Sequence, residues 1–111
     1  MKTKALLMIL GTTAMLTASC GYEPTRITLV NGLGSYNVEY LLISGTEEED
    51  WGLNSLPGNT VLLPGDSIAI AVEPGRYDLQ VIDEDGDTYT RWDQDVPEEG
   101  YRWEVRLGEM D

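Results

Sequence analysis

From residue 20 onward the chain breaks into short runs in which apolar side chains recur at every second position, separated by clusters of turn-forming residues. The middle of the chain, residues 63–92 (LPGDSIAIAVEPGRYDLQVIDEDGDTYTRW), holds three of these runs, at 67–72, 76–82 and 88–92. Between them lie Glu73-Pro74-Gly75-Arg76 and Asp83-Glu84-Asp85-Gly86-Asp87. Proline presets a turn's φ and glycine accepts positive φ, so each cluster reverses the chain and the three runs form an antiparallel meander. Ile68, Ile70 and Val72 face inward; Ala69 and Ala71 face outward and are small enough for another sheet, loop or protein to approach. Tyr77, Leu79 and Val81 form the inward face of the next run. A two-residue loop at Asp85-Gly86, or a four-residue loop around it, gives one register, in which Leu79 faces Trp92, Ile82 faces Tyr89 and Asp78 faces Asp93.

The flanking segments complete the pattern. Residues 26–31 (RITLVN) read as a strand closed by the turn residues Asn31-Gly32-Leu33-Gly34. In 36–44 (YNVEYLLIS) Tyr36, Val38, Tyr40 and Leu42 share one face, but Leu41 and Ile43 break the alternation, which predicts cover on both faces of that strand's end. Residues 60–63 form a short strand ended by Pro64-Gly65. Residues 101–107 (YRWEVRL) alternate most cleanly, with Tyr101, Trp103, Val105 and Leu107 toward the core. The long irregular stretch 45–58 begins with the solvated acidic run Glu47-Glu48-Glu49-Asp50. Trp51, Leu53 and Leu56 follow at a spacing suited to one helical turn that caps the core. Frequent turns, about seven short strands and no amphipathic helix predict an all-β fold, an antiparallel β-sandwich that is Ig-like or prealbumin-like, over residues 26–108.

Residues 1–19 are built differently. Lys2 and Lys4 precede an apolar run at 5–16, and the small residues Thr17-Ala18-Ser19 follow it, which is the layout of a secretory signal. The run is too short for an ordinary transmembrane helix. A lone cysteine, Cys20, stands directly after the small residues. Leu16-Thr17-Ala18-Ser19-Cys20 resembles the lipobox of bacterial lipoprotein leaders, although Thr17 stands where that family usually has an aliphatic residue. The resemblance implies that residues 1–19 are a signal peptide, that Cys20 becomes the acylated N-terminus, and that 20–25 are a short tether. It also implies anchoring in the bacterial cell envelope, and Gly21 after the cysteine points by family analogy to the outer membrane. Several acyl chains make such anchoring stable, at about 0.8 kcal/mol per buried methylene. The remainder resembles a loose group of small exported bacterial domains that share Trp-Gly, Leu-x-Pro-Gly, Gly-x-Tyr-Asp and an Asp-rich turn. Here these are Trp51-Gly52, Leu62-Leu63-Pro64-Gly65, Gly75-Arg76-Tyr77-Asp78 and residues 83–87. That resemblance implies a β-sandwich and no activity.

Composition narrows the chemistry. The formal charge is −13 over the whole chain, and removing Lys2 and Lys4 with the leader leaves five arginines against twenty acids, a charge of −15. Such a surface repels nucleic acid and anionic lipid, and favours solubility, cations or a basic partner. With no histidine, Ser-His-Asp and Cys-His catalysis and ordinary zinc sites are excluded. With no lysine after cleavage, Schiff-base and P-loop chemistry are excluded too. A non-enzymatic structural or interaction module follows, with the membrane as one partner through Cys20 and an envelope protein or glycan as another. Trp51 and Tyr89 are the aromatic candidates for partner contact, each with a competing place in the core. No cofactor is required. The alternative is a module stabilised by Ca²⁺ at Asp83, Glu84, Asp85 and Asp87, because carboxylates on a tight turn can converge on a cation that takes about six to eight oxygens. Gly86 stands fourth from Asp83, not sixth, so the turn is not an EF-hand loop.

Overall fold

The computed structural model describes residues 24–111, so the leader, Cys20 and most of the tether lie outside the described residues. Six strands form in order: β1 (Thr25–Gly32), β2 (Val38–Gly45), β3 (Ser67–Val72), β4 (Gly75–Asp83), β5 (Thr88–Val96) and β6 (Tyr101–Arg106), the last followed by a 3₁₀ turn, Leu107–Glu109. They make two three-stranded sheets, β3-β1-β6 and β2-β4-β5, that pack face to face as a small β-sandwich. Ile27 and Leu29 of β1, Leu79 and Val81 of β4, Tyr89 and Val96 of β5, and Trp103 and Val105 of β6 are all buried in one cluster between the sheets. A period of two turns the pairs in β1, β4 and β6 to one side, and a bulge within β5 brings Tyr89 and Val96, an odd number of residues apart, to the same face.

Three expectations about architecture change. Six strands form rather than seven, because residues 60–63 contribute only one bridge, Leu62 to Val38, with both backbone hydrogen bonds at 2.9 Å. The sandwich is not wholly antiparallel: β1 pairs parallel with β6, Ile27 opposite Tyr101 and Leu29 opposite Trp103. Residues 51–56 form no helical turn; Trp51 and Leu56 are buried while Leu53 is 61% exposed. Buried Asn31 ties the β1–β2 connection to Leu62. Its Nδ2 donates to the carbonyls of Tyr36 and Leu62 at 2.8 and 2.9 Å, and its Oδ1 accepts from Leu33 N.

Two β-bulges and one loop length set which side chains reach which face. In β2 the register slips at Glu39, so Val38 and Leu41 both turn inward and Leu42, buried on the other face, lies beneath the 46–58 loop beside Asn54. Both faces of that strand's end are covered, as the broken alternation predicts. At the β4–β5 hairpin Asp83 N bonds Asp87 O at 3.0 Å, which leaves a three-residue loop, 84–86, with Gly86 at φ 84°. That loop length shifts the expected register by one, so Val81 pairs with Tyr89 and Leu79 with Arg91. Farther along, a bulge at Asp93, whose φ is 54°, restores it, and Tyr77 pairs with Gln94.

Candidate functional site

The carboxylate at the base of the acidic turn is spent on the turn itself. Asp83 is 2% exposed. Its Oδ1 accepts the backbone N–H of Asp85 at 2.9 Å and of Asp87 at 3.0 Å, and its Oδ2 accepts the buried Tyr89 hydroxyl at 2.8 Å. Glu84 turns to the other side, where its Oε1 accepts Asn37 N at 2.7 Å and its own N–H donates to Asn37 O at 3.0 Å. Two of the four expected Ca²⁺ ligands therefore point to different partners, and Asp85 and Asp87 remain on the rim. Among the described residues no group of three or more acidic or cysteine side chains is placed to hold a metal ion. The physical reason is local: an aspartate before a tight turn lowers its own energy by taking the loop's N–H groups.

Neither expected aromatic contact is offered to a partner. Tyr89 is fully buried, and Trp51 is 4% exposed with its ring 5.5 Å from that of Trp92. Burial, followed by the hydrogen bond to Asp83 and the charge of that carboxylate, pushes the Tyr89 phenol well above its ordinary pKa. Tyr77 is raised as well, by burial and by Glu73. A phenol whose pKa is higher folded than unfolded contributes stability that is complete below its unfolded value, about 10, and is lost as pH rises beyond it. Urea midpoints measured from pH 8 to 11 are expected to hold until about pH 10 and then fall, Tyr89 alone contributing up to about 1.4 kcal/mol per pH unit. Tyr89→Phe should flatten most of that fall.

The one-residue register shift brings a different aromatic, half-buried, to the outer face. With Leu79 opposite Arg91, Arg91 takes the inward position and Trp92 turns to the outer face of the second sheet. There Trp92, Gln80, Thr90 and Asp111 line a shallow cleft of about 530 Å³. Gln80 Nε2 donates to Thr90 Oγ1 at 3.0 Å, and the Asp111 carboxylate accepts from Thr88 Oγ1 at 2.8 Å and from Thr90 N at 3.2 Å. Trp51, from the irregular loop, backs the indole from one side. A smaller cleft of about 240 Å³, lined by Glu39, Tyr40, Asn54, Asn59 and Thr60, opens beside the Glu39 bulge. Reading Asp85-Gly86 as the end of a three-residue loop is the sequence signal that places Trp92 outside.

Inside, Arg91 organises the open side between β5 and β6. Its Nε and Nη2 donate to Glu109 Oε1 at 3.0 and 2.9 Å, and its Nη1 donates to Tyr101 Oη at 2.8 Å. Tyr101 in turn donates to Gln94 Oε1 at 2.8 Å, and the guanidinium lies 4.8 Å from the centre of the Trp103 ring. These groups satisfy one another and close the sandwich.

No family model matches the chain, and no curated protein matches it. Among solved structures, the chain is similar to an NMR structure of a protein from Eubacterium rectale, at 21% identity over 82% of this chain and 84% of that one, with a TM-score of 0.57. A likeness at that identity carries the fold.

Proposed function

We infer that this chain is a lipid-anchored, non-enzymatic interaction module of the bacterial cell envelope, held at the outer membrane through Cys20 and presenting the outer face of its second sheet to a glycan. The observation that carries the binding role is the Trp92 cleft, where an indole, an amide, a hydroxyl and a carboxylate share one depression. An aromatic face suits the C–H surface of a sugar ring, and the polar groups around it suit the ring's hydroxyls. The basic, apolar and small-residue order of 2–19 ahead of Cys20 supports the anchor. The acidic surface argues against nucleic acid as a partner.

Two measurements test the two halves of the reading. Cys20→Ser should move the protein from the membrane pellet to the soluble fraction, and a variant that stays in the pellet would remove the lipid anchor. Intrinsic tryptophan fluorescence titrated with solubilised peptidoglycan fragments and with neutral oligosaccharides should respond in the wild type and not in Trp92→Ala. An unresponsive wild type would remove the glycan.

A further inference from the structure

Four strands stand at sheet edges, and three of them are protected. The β2 edge is occupied: Leu62 bridges Val38, Asn54 Oδ1 accepts Leu41 N at 2.9 Å, and Ser55 N donates to Leu41 O at 2.7 Å. Along β5 run Met110 and Asp111, bridging Tyr89 and bonding Thr88 O at 2.9 Å, and the Asp93 bulge twists the rest away. On β6 the charged Arg102, Glu104 and Arg106 lie along the strand. Covering, bulging and charging are the ordinary means by which sheets avoid unwanted pairing. The fourth edge, β3, carries none of them among the described residues. It reads SIAIAV, with no charge between Asp66 and Glu73 in a chain of net charge −13.

The backbone of β3 is also poised. Asn31 donates to Asp66 O at 2.9 Å and accepts from Gly65 N at 2.8 Å, so its polar groups point at this sheet neighbour. Stepping by two along the register, Ile68, Ile70 and Val72 bond β1, which leaves the N–H and C=O of Ser67, Ala69 and Ala71 directed outward. Those three side chains are exposed, while Ile68, Ile70 and Val72 remain only half-buried at the rim of the core.

We propose that β3 is a dimerisation edge, pairing antiparallel with β3 of a second copy about a two-fold axis at Ala69. In that register Ala69 meets itself and Ser67 meets Ala71 of the partner subunit, so every outward-directed residue meets another and about six ladder hydrogen bonds form. Ile68 lies beside Ile70 of the partner subunit on the inner face, which finishes their burial. Pro64 and Pro74 stand equally far from Ala69, so both copies' strands end together and the register is pinned. The absence of charge on β3 is what selects a second copy over a basic partner. The joined sheet, β6-β1-β3 continued by its symmetry mate, leaves the Trp92 face on the opposite sheet open.

Sedimentation of the full chain in detergent tests this. The wild type is expected to dimerise with concentration, more tightly as salt rises, because the acidic surfaces otherwise repel. Ala69→Lys and Ala69→Glu each place like charges directly opposite at the axis, and each should weaken association by on the order of tenfold or more. Mixed one to one, the two variants should associate again, since only a two-fold at this residue makes position 69 its own neighbour. Ala69→Pro, which removes an outward N–H and no bond to β1, should also be monomeric with an unchanged circular dichroism spectrum. A wild type that stays monomeric at every salt, a dimer that none of these variants shifts, or single variants that fail to recover on mixing would each overturn the proposal.

Discussion

Asp83→Ala is expected to lower stability by about 3–5 kcal/mol, more than the loss of a surface acid on an acidic protein would suggest. The carboxylate is 2% exposed and accepts three hydrogen bonds, two from the loop backbone and one from Tyr89. The two loop donors can turn to water once the tip loosens. The Tyr89 hydroxyl is fully buried and has no such exit, so most of the cost falls there. Asp83→Asn keeps an acceptor for the loop but sets an amide against the phenol, and should lose roughly half as much. Tyr89→Phe removes the buried hydroxyl and leaves one carboxylate oxygen bare, at about 1–3 kcal/mol. Urea denaturation checks all three: the midpoint should fall in the order Asp83→Ala, then Asp83→Asn or Tyr89→Phe, with the slope unchanged. An Asp83→Ala midpoint within experimental error of the wild type would mean that the turn forms without its aspartate.

The same turn shows how far the sequence could be read. Alternation places β1, β4 and β6, and most of the inward residues of the latter two, because a period of two needs only local information. Leu107 was the exception: it continues the β6 alternation yet is 45% exposed, since the chain leaves the sheet there for the 3₁₀ turn. Register depends on counting loop residues, and Asp85-Gly86 satisfies a two-residue loop as readily as it closes a three-residue one. The two choices differ in which of Arg91 and Trp92 faces inward, and the three-residue loop puts the arginine on the inner face and the indole on the outer one. The bulges at Glu39 and Asp93 carry no sequence mark of their own beyond the broken alternation at Leu41. The parallel pairing of β1 with β6 joins residues 74 apart, a contact that tertiary packing decides and local pattern cannot.

Trp103→Ala should cost about 4–5 kcal/mol, a large share of the roughly 5–15 kcal/mol that holds an ordinary domain together. The ring is 1% exposed on the inner face of an edge strand, where few neighbours can move in to fill the space. Its loss acts on more than volume. The indole Nε1 donates to both Glu109 oxygens at 3.2 Å, and Glu109 holds Arg91 and accepts Arg106 N at the start of the 3₁₀ turn. The turn in turn leads into Met110 and Asp111, which bond β5. Truncating the ring therefore unseats Glu109, leaves Arg91 half-buried without its cation–π face, and frees the segment that covers the β5 edge. Trp103→Phe keeps most of the apolar volume and loses only the N–H and part of the ring, so about 1–2 kcal/mol is expected. A double-mutant cycle of Trp103→Phe with Glu109→Gln separates packing from the network. A coupling of about 0.5 kcal/mol or more would show that Glu109 works through the indole, whereas strictly additive losses would mean that the ring serves the core alone.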